Sequence, residues 1–524
     1  VSQGVLYFVN DLDGRIYTRD TPLTQPGVRF GDLLLSPHGL VAVAERHEGG
    51  AVENFLALID VRTGRVQTLD SGHDFYASPA LSPDGAQLAW LTWDAPHMPW
   101  DEAALWSASL ADGRLGRKER VAGGSNVSIL QPQWSPQGVL TYISDASGWW
   151  NLYQEGRNIC PMEAECGAPL WQLGQSSYAF AGDKIVCAYA QQGLWSLGVV
   201  DAARKTLQRL PIEGVFFAQV RAASRFAACI RGTETAPKSV VRIDLETGAC
   251  LDLGERTGSP ISVSRCRPLS FPSAQGRTAY GFYHPPHNPD YAVLSGELPP
   301  LLVRCHGGPT SAASAAFEWS THYWTSRGFA VLDVNYAGSA GYGRTYRASL
   351  NGAWGIADWQ DAEAGARYLV AQKLADPARL AITGGSAGGY TALCALAFGS
   401  LFAACASYYG VSDLSLLAAS THKFEAHYLN TLIGSPSLYE SRSPAHFPER
   451  FSRPVIFFQG EEDRVVPPNQ AQVMYDALRS RGIFTELILY PGEQHGFRQA
   501  PHIQDALERE LAFYLKVFHI CIPE

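Results

Sequence analysis

The segment Gly384-Gly385-Ser386-Ala387-Gly388-Gly389 sets a serine among glycines, after a short apolar run at 380–383 and before Tyr390-Thr-Ala-Leu-Cys-Ala-Leu396, whose composition suits a helix. Glycines on both sides let the backbone turn sharply without a Cβ clash. A serine at such a turn presents its Oγ at the carboxyl end of a strand, above a helix N-terminus. A Gly-rich helix cap or a phosphate loop is the bland alternative. A Walker loop needs Lys after its last glycine, and Tyr390 stands there instead.

A serine hydroxyl is a poor nucleophile until a base takes its proton, and that base must be held in one tautomer by a carboxylate. On a strand–turn–helix framework both partners are expected later in the chain, acid before histidine, each after a strand. The apolar run at 455–458 leads into Gln459-Gly-Glu461-Glu462-Asp463-Arg-Val-Val-Pro467, and the run at 487–490 leads into Pro491-Gly-Glu-Gln-His495-Gly-Phe497. Asp463 is preferred to Glu461 and Glu462 as the acid because it sits deepest in its turn, just before Arg464-Val-Val-Pro. Of the fourteen histidines, His495 combines a loop after a strand, a following glycine and the right chain order, whereas His422, His427, His446 and His502 read as surface groups. Negative charge developing on an attacked carbonyl needs two backbone N–H donors, one from the residue after the serine and one from a loop after an earlier strand. Ala387 supplies the first. His306-Gly307-Gly308-Pro309 offers the second at Gly308, with Gly307 as runner-up and His306 as a structural residue.

The elements that must carry these residues fall into two halves. At 524 residues the chain exceeds the size of one ordinary core, roughly 250–300 residues, so two domains are expected, at 1–262 and 263–524. In the first half Leu35-Ser-Pro-His-Gly39, Leu81-Ser-Pro-Asp-Gly85 and Trp134-Ser-Pro-Gln-Gly138 repeat one turn, each ahead of a strand. The spacing of roughly 50 residues is near that of a β-propeller blade. Ile59-Asp60-Val-Arg-Thr-Gly64 and Ile243-Asp244-Leu-Glu-Thr-Gly248, with Val200-Asp201 as a weaker copy, read as outer hairpins of blades. A β-sandwich is the alternative, and about six blades of roughly 40–45 residues fit the length. Gly4-Val-Leu-Tyr-Phe-Val9 already reads as a strand, so the propeller is expected to lack its N-terminal part. Beyond residue 260 short apolar strands at 301–305, 330–334, 380–383, 403–407 and 455–458 alternate with helical patterns at 361–373, 469–481 and 503–517. That is the syntax of a doubly wound, mostly parallel sheet covered on both faces.

A net charge of −9 without a long Lys/Arg run excludes nucleic acid and anionic membrane as partners. No run of roughly 18 apolar residues marks a membrane span, and no basic segment followed by an apolar stretch marks the start. The ten cysteines form no CxxC pair, which favours reduced thiols and a cytoplasmic location. Cys305, Cys394 and Cys405 read as core residues, and Cys160 with Cys166 lacks the second pair that a metal site would need.

The order His306-Gly-Gly-Pro309, Asn335-Tyr-Ala-Gly-Ser-Ala-Gly-Tyr-Gly343, Gly384-Gly-Ser-Ala-Gly-Gly-Tyr390, Gly460-Glu-Glu-Asp463 and Glu493-Gln-His-Gly-Phe497 resembles the prolyl oligopeptidase family of serine peptidases, most of all its acylaminoacyl-peptidase-like bacterial branch. The likeness covers the second half closely. It extends more loosely to the first through the blade turns, Trp93-Asp94 and Gly148-Trp-Trp-Asn-Leu-Tyr153. It implies an α/β-hydrolase behind a propeller that shields the site, acting on short peptides or aminoacyl and acylaminoacyl amides without a cofactor. It also implies a homodimer or higher homo-oligomer. Carried over by the resemblance, the pocket for the residue before the scissile bond maps to Tyr408, Tyr409 and Phe424, which implies an apolar or aromatic preference, and Glu425 is a candidate for a free substrate amine. No paired-glutamate signature of a strict dipeptidyl-peptidase is present. Two other readings stay open: an esterase or amidase acting on small non-peptide substrates, since the same triad cleaves esters, and a catalytically silent propeller scaffold, disfavoured by the intact triad.

Overall fold

The computed structural model describes residues 4–254, 263–291 and 296–520, so the expected domain boundary at 262/263 lies outside the described residues. In the first half, among the described residues, a three-stranded sheet at 7–22 precedes five antiparallel sheets of four or five strands at 28–70, 75–123, 129–158, 178–209 and 216–252. These are the blades of the propeller. The Ser-Pro-x-Gly turns join first to second strands: Ser82 Oγ and Ser135 Oγ accept from Gln87 N (2.8 Å) and Val139 N (3.0 Å). The Asp-x-x-Thr-Gly turns join third to fourth strands, with Asp60 Oδ1 accepting from Arg62 and Thr63 and Asp244 Oδ1 from Glu246 and Thr247.

The sequence pattern did not reveal a bulge in the first strand of four sheets, where pairing slips at Asp32, Ser78, Gln131 and Gln219, each at φ 48–54°. A non-glycine residue there is strained. At two of them the side chain ties its sheet to the next: Asp32 Oδ2 accepts from Ser78 N (2.8 Å), and Gln131 Oε1 from Ser177 N (2.7 Å). Apolar faces fill the spaces between sheets, as where Val41, Leu56 and Leu58 meet Tyr76, Leu88 and Trp90.

The second half is one eight-stranded sheet in the order Arg267–Pro272, Thr278–His284, Ala330–Asn335, Leu301–Cys305, Leu380–Gly385, Ala404–Tyr408, Val455–Gly460, Thr485–Tyr490. The first two strands are antiparallel to their neighbours and the rest run parallel. Helices Ala357–Ala371 and Ala387–Phe398 pack on one face, through Ala362, Ala366, Leu369 and Leu393. Trp319–Thr325 and Ala500–Val517 cover the other, where Trp324, Phe513 and Tyr514 meet Leu302, Val331 and Ile456. Burial on both faces is why the central strands read as unbroken apolar runs rather than alternating ones.

A buried ionic seam joins the halves. Asp145 and Glu165 of the propeller, with 0% of either side chain exposed, meet Arg344 and Arg347 of the hydrolase. Glu165 also accepts from Trp150 N (2.7 Å) and Gly343 N (3.0 Å), and Arg347 lies over the Trp150 ring. Burial pushes the Glu165 carboxyl up to about 7 and pulls Arg347 below its usual range, so desolvation outweighs their mutual attraction. Such a seam specifies how two surfaces meet more than it stabilises them.

Candidate active site

Ser386 follows the strand Leu380–Gly385 and caps the helix Ala387–Phe398 with φ 56° and ψ −121°. The glycines permit this turn. A Cβ on Gly384 would lie 2.4 Å from the Gly388 backbone, and one on Gly388 would lie 2.0 Å from Cys305 O. The helix therefore begins pressed against the neighbouring strand, with the serine side chain raised above both.

Asp463 arrives from the loop after the next-to-last strand, Val455–Gly460, and His495 from the loop after the last, Thr485–Tyr490. His495 Nε2 is 2.9 Å from Ser386 Oγ, and His495 Nδ1 is 2.8 Å from Asp463 Oδ2. The carboxylate is fully buried and is held by Val465 N and Val466 N on Oδ1, both at 2.9 Å, with Gln459 Nε2 at 3.3 Å on Oδ2. An acceptor-only carboxylate fixes the proton on Nδ1, which leaves Nε2 free to accept from the serine hydroxyl. Glu461 and Glu462 lie exposed in the same loop. The Tyr409 ring lies edge-on to the imidazole at 4.9 Å between centroids.

These groups open into a cavity of about 420 Å³. Gly308 and Ala387 line it beside Ser386, while Gly307 lies behind, where a Cβ would sit 3.6 Å from Ser386 Cβ. His306 is packed on the Tyr336 ring, with Nδ1 2.8 Å from Gly307 O and Nε2 2.7 Å from Ser339 Oγ; burial lowers it to about 4, so it is a neutral strut for the glycine loop.

The pocket residues carried over by resemblance separate. Glu425 lines the cavity, and burial raises its carboxyl above the usual range against the opposing pull of His422 and His495. Tyr408 is directed away: its ring stacks on Phe458 and its hydroxyl donates to the buried Glu510 at 2.7 Å, so its strand turns it toward the C-terminal helix. Tyr409 buttresses His495 rather than lining the cavity, and Phe424 joins an aromatic cluster with Phe75, Trp93, Trp100 and Trp171 beside a second cavity. The apolar wall is built instead by Trp354, Val411, Leu417, Leu429, Val465 and Val466. Val465 and Val466 were legible from the acid's own loop. Trp171, which reaches in from the propeller, belongs to no motif.

A family model described as prolyl oligopeptidase family matches residues 315–521. A structure titled as a Mycobacterium tuberculosis puromycin-hydrolyzing peptidase is 38% identical at a TM-score of 0.94, covering 99% of this chain and 85% of that one. Another, titled puromycin hydrolase, is 34% identical at 0.95, covering 100% and 86%. The chain belongs to the prolyl oligopeptidase family. Curated relatives of this prolyl oligopeptidase family member include the acylamino-acid-releasing enzyme of Rattus norvegicus, 29% identical over 40% of this chain and 30% of the relative. The matched region spans only 28–30% of the length of such relatives. Among the described residues no helix is long and apolar enough to cross a membrane.

Proposed function

We propose that this chain is a serine peptidase that releases residues from short peptides or aminoacyl amides through an acyl-enzyme, as an aminopeptidase or acylaminoacyl-peptidase type. The unbroken hydrogen-bonded line Asp463–His495–Ser386, with Ser386 and His495 lining a largely apolar cavity, carries the reading. Ser386 Oγ attacks the substrate carbonyl while His495 Nε2 takes its proton, and Asp463 stabilises the imidazolium that forms. The developing oxyanion is assigned to the backbone N–H groups of Gly308 and Ala387. His495 then gives the proton to the leaving amine, and an activated water repeats the sequence to free the acid. Glu425 is assigned to a free substrate amine, which its ionised carboxylate would hold within the same cavity.

Names in two similar structures, puromycin hydrolase and puromycin-hydrolyzing peptidase, support an aminoacyl amide as substrate. The nine described cysteines are free, which supports the proposed cytoplasmic location. Ser386→Ala is expected to lower kcat on aminoacyl 4-nitroanilides by roughly 10⁴-fold or more while the thermal transition persists. Wild-type-like turnover in that variant would overturn the assignment. Cleavage of carboxylic esters with no cleavage of any amide would favour the esterase reading.

A further inference from the structure

Trp171 occupies a position that neither half's own chemistry explains. It lies in the connection between the blades at 129–158 and 178–209, yet its indole lines the cavity that contains Ser386. Its Nε1–H donates to Thr310 O at 2.7 Å, two residues after Gly308. Tyr428 holds the same residue from the hydrolase side, its hydroxyl accepting from Thr310 N at 3.2 Å. The Trp171 ring is packed against Trp100 at 4.5 Å and against Phe424 and Tyr428 at about 6 Å.

Behind Trp171 lies a second cavity of about 520 Å³, between the blade at 28–70 and the turn carrying His422, Lys423 and Phe424. Trp171 is the residue that lines both spaces. The second space is partly polar. Lys423 Nζ reaches Asn54 Oδ1 and Asp74 O, both at 2.8 Å, and Glu45 pairs with His47. Glu425, the group proposed to meet a substrate amine, lines the first cavity and the adjacent Phe424 lines the second, so the two spaces lie on either side of this turn and of Trp171.

We infer that Trp171 is a specificity-determining residue: the propeller uses it as a wall that ends the acyl side of the cavity after a single residue, and the space behind it is an unused extension for a longer chain. This rests on the peptidase reading above and adds the substrate class, a single free-amine residue ahead of the scissile bond. The indole N–H has a separate, positioning role, since it fixes the loop that presents Gly308.

Two variants separate the roles. Trp171→Ala removes the wall and opens one space into the other, while Trp171→Phe keeps a ring and loses the hydrogen bond. The probes are phenylalanyl- and glycyl-phenylalanyl-4-nitroanilide, with active-site concentration set by titration with a fluorophosphonate so that misfolded protein does not count. Wild type is expected to prefer the shorter probe. Trp171→Ala should shift the ratio of kcat/KM toward the longer probe by at least tenfold, and Trp171→Phe should leave that ratio within twofold of wild type while lowering kcat on both probes several-fold. Adding Val52→Phe, which fills the second cavity from the propeller side, should reverse the gain of Trp171→Ala. An unchanged ratio in titratable Trp171→Ala, or a gain that Val52→Phe leaves intact, overturns the inference while the peptidase reading stands. A wild-type protein that labels with fluorophosphonate yet hydrolyses neither probe nor any other amide overturns the reading beneath it.

Discussion

The two halves differ in what holds them together and in what they lend to the site. In the hydrolase half every proposed reacting side chain hangs from the end of a parallel strand, and the strands ahead of Ser386 and Asp463 are buried on both faces, so small shifts of either residue would disturb a packed core. In the propeller half the sheets are separate antiparallel units joined by side-chain ties such as Asp32 to Ser78 and Gln131 to Ser177. That half holds none of the reacting atoms. What it contributes is a boundary, through Trp171 and the seam at Asp145 and Glu165. Chemistry is thus set by one half, while reach is limited by the other.

This contrast can be broken most forcefully at the seam. Arg347→Ala leaves Asp145 and Glu165 short of a buried cation, and a loss of about 3–5 kcal/mol of stability is expected in urea or thermal unfolding. A fall below about 1 kcal/mol would mean that water replaces the guanidinium and that the seam is not closed. Glu165 also predicts a pH trend. Its folded pKa, about 7, lies above the unfolded carboxyl value, so the folded state holds the extra proton between roughly 4.5 and 7. Its contribution to stability is fully present below that window and is lost as pH rises through it; Glu165→Gln should flatten that part of the stability profile.

A smaller effect is expected within the propeller itself. Gln131→Ala strands the Ser177 N–H, buried beside it, and also removes the tie that offsets a strained bulge, for a loss of about 2 kcal/mol with kcat unchanged. A concurrent fall in kcat would show that blade packing is transmitted to the reacting groups.

The smallest expected effect sharpens the comparison from the hydrolase side. Glu425→Gln should lower the preference for free-amine over N-acetylated substrates about tenfold, with little effect on the N-acetylated ones. Because His495 acts on both substrates, its part in the reaction cancels in their ratio. In wild type the preference should fall as pH is lowered through the raised Glu425 pKa, where the carboxylate takes up a proton, and the Gln variant should show no such step. A preference that ignores pH would remove Glu425 from amine recognition.

The same contrast explains what could be read from the residues alone. Ser386, Asp463 and His495 were legible because strained turns and chain order leave a local signature of glycines and strand ends. The mainly parallel sheet was legible because burial on both faces erases alternation at 301–305, 330–335 and 455–460. In the propeller the turn chemistry at Ser82 and Asp60 showed the repeat, but bulges at Asp32 and Gln131 left no trace because residues as different as Asp32, Ser78 and Gln131 occupy that position. The directions of the Tyr408 and Phe424 side chains were not legible for another reason. Proximity in sequence to the serine's neighbouring strand does not say which way a side chain turns, and Glu510, about a hundred residues on, decides it for Tyr408. Trp171 could not be found at all, since its role exists only once two separately folded surfaces meet.

Asp145 and Glu165 precede Arg344 and Arg347 in the chain, so a ribosome delivers the acids well before the bases. Until the second half is made, those carboxylates have no guanidinium partner. Once docking strips water from them, only a partner presenting both guanidiniums at the right places restores the balance, and a premature or misaligned association leaves bare charge in an apolar joint. The seam thereby makes a misaligned joint costlier than the native one.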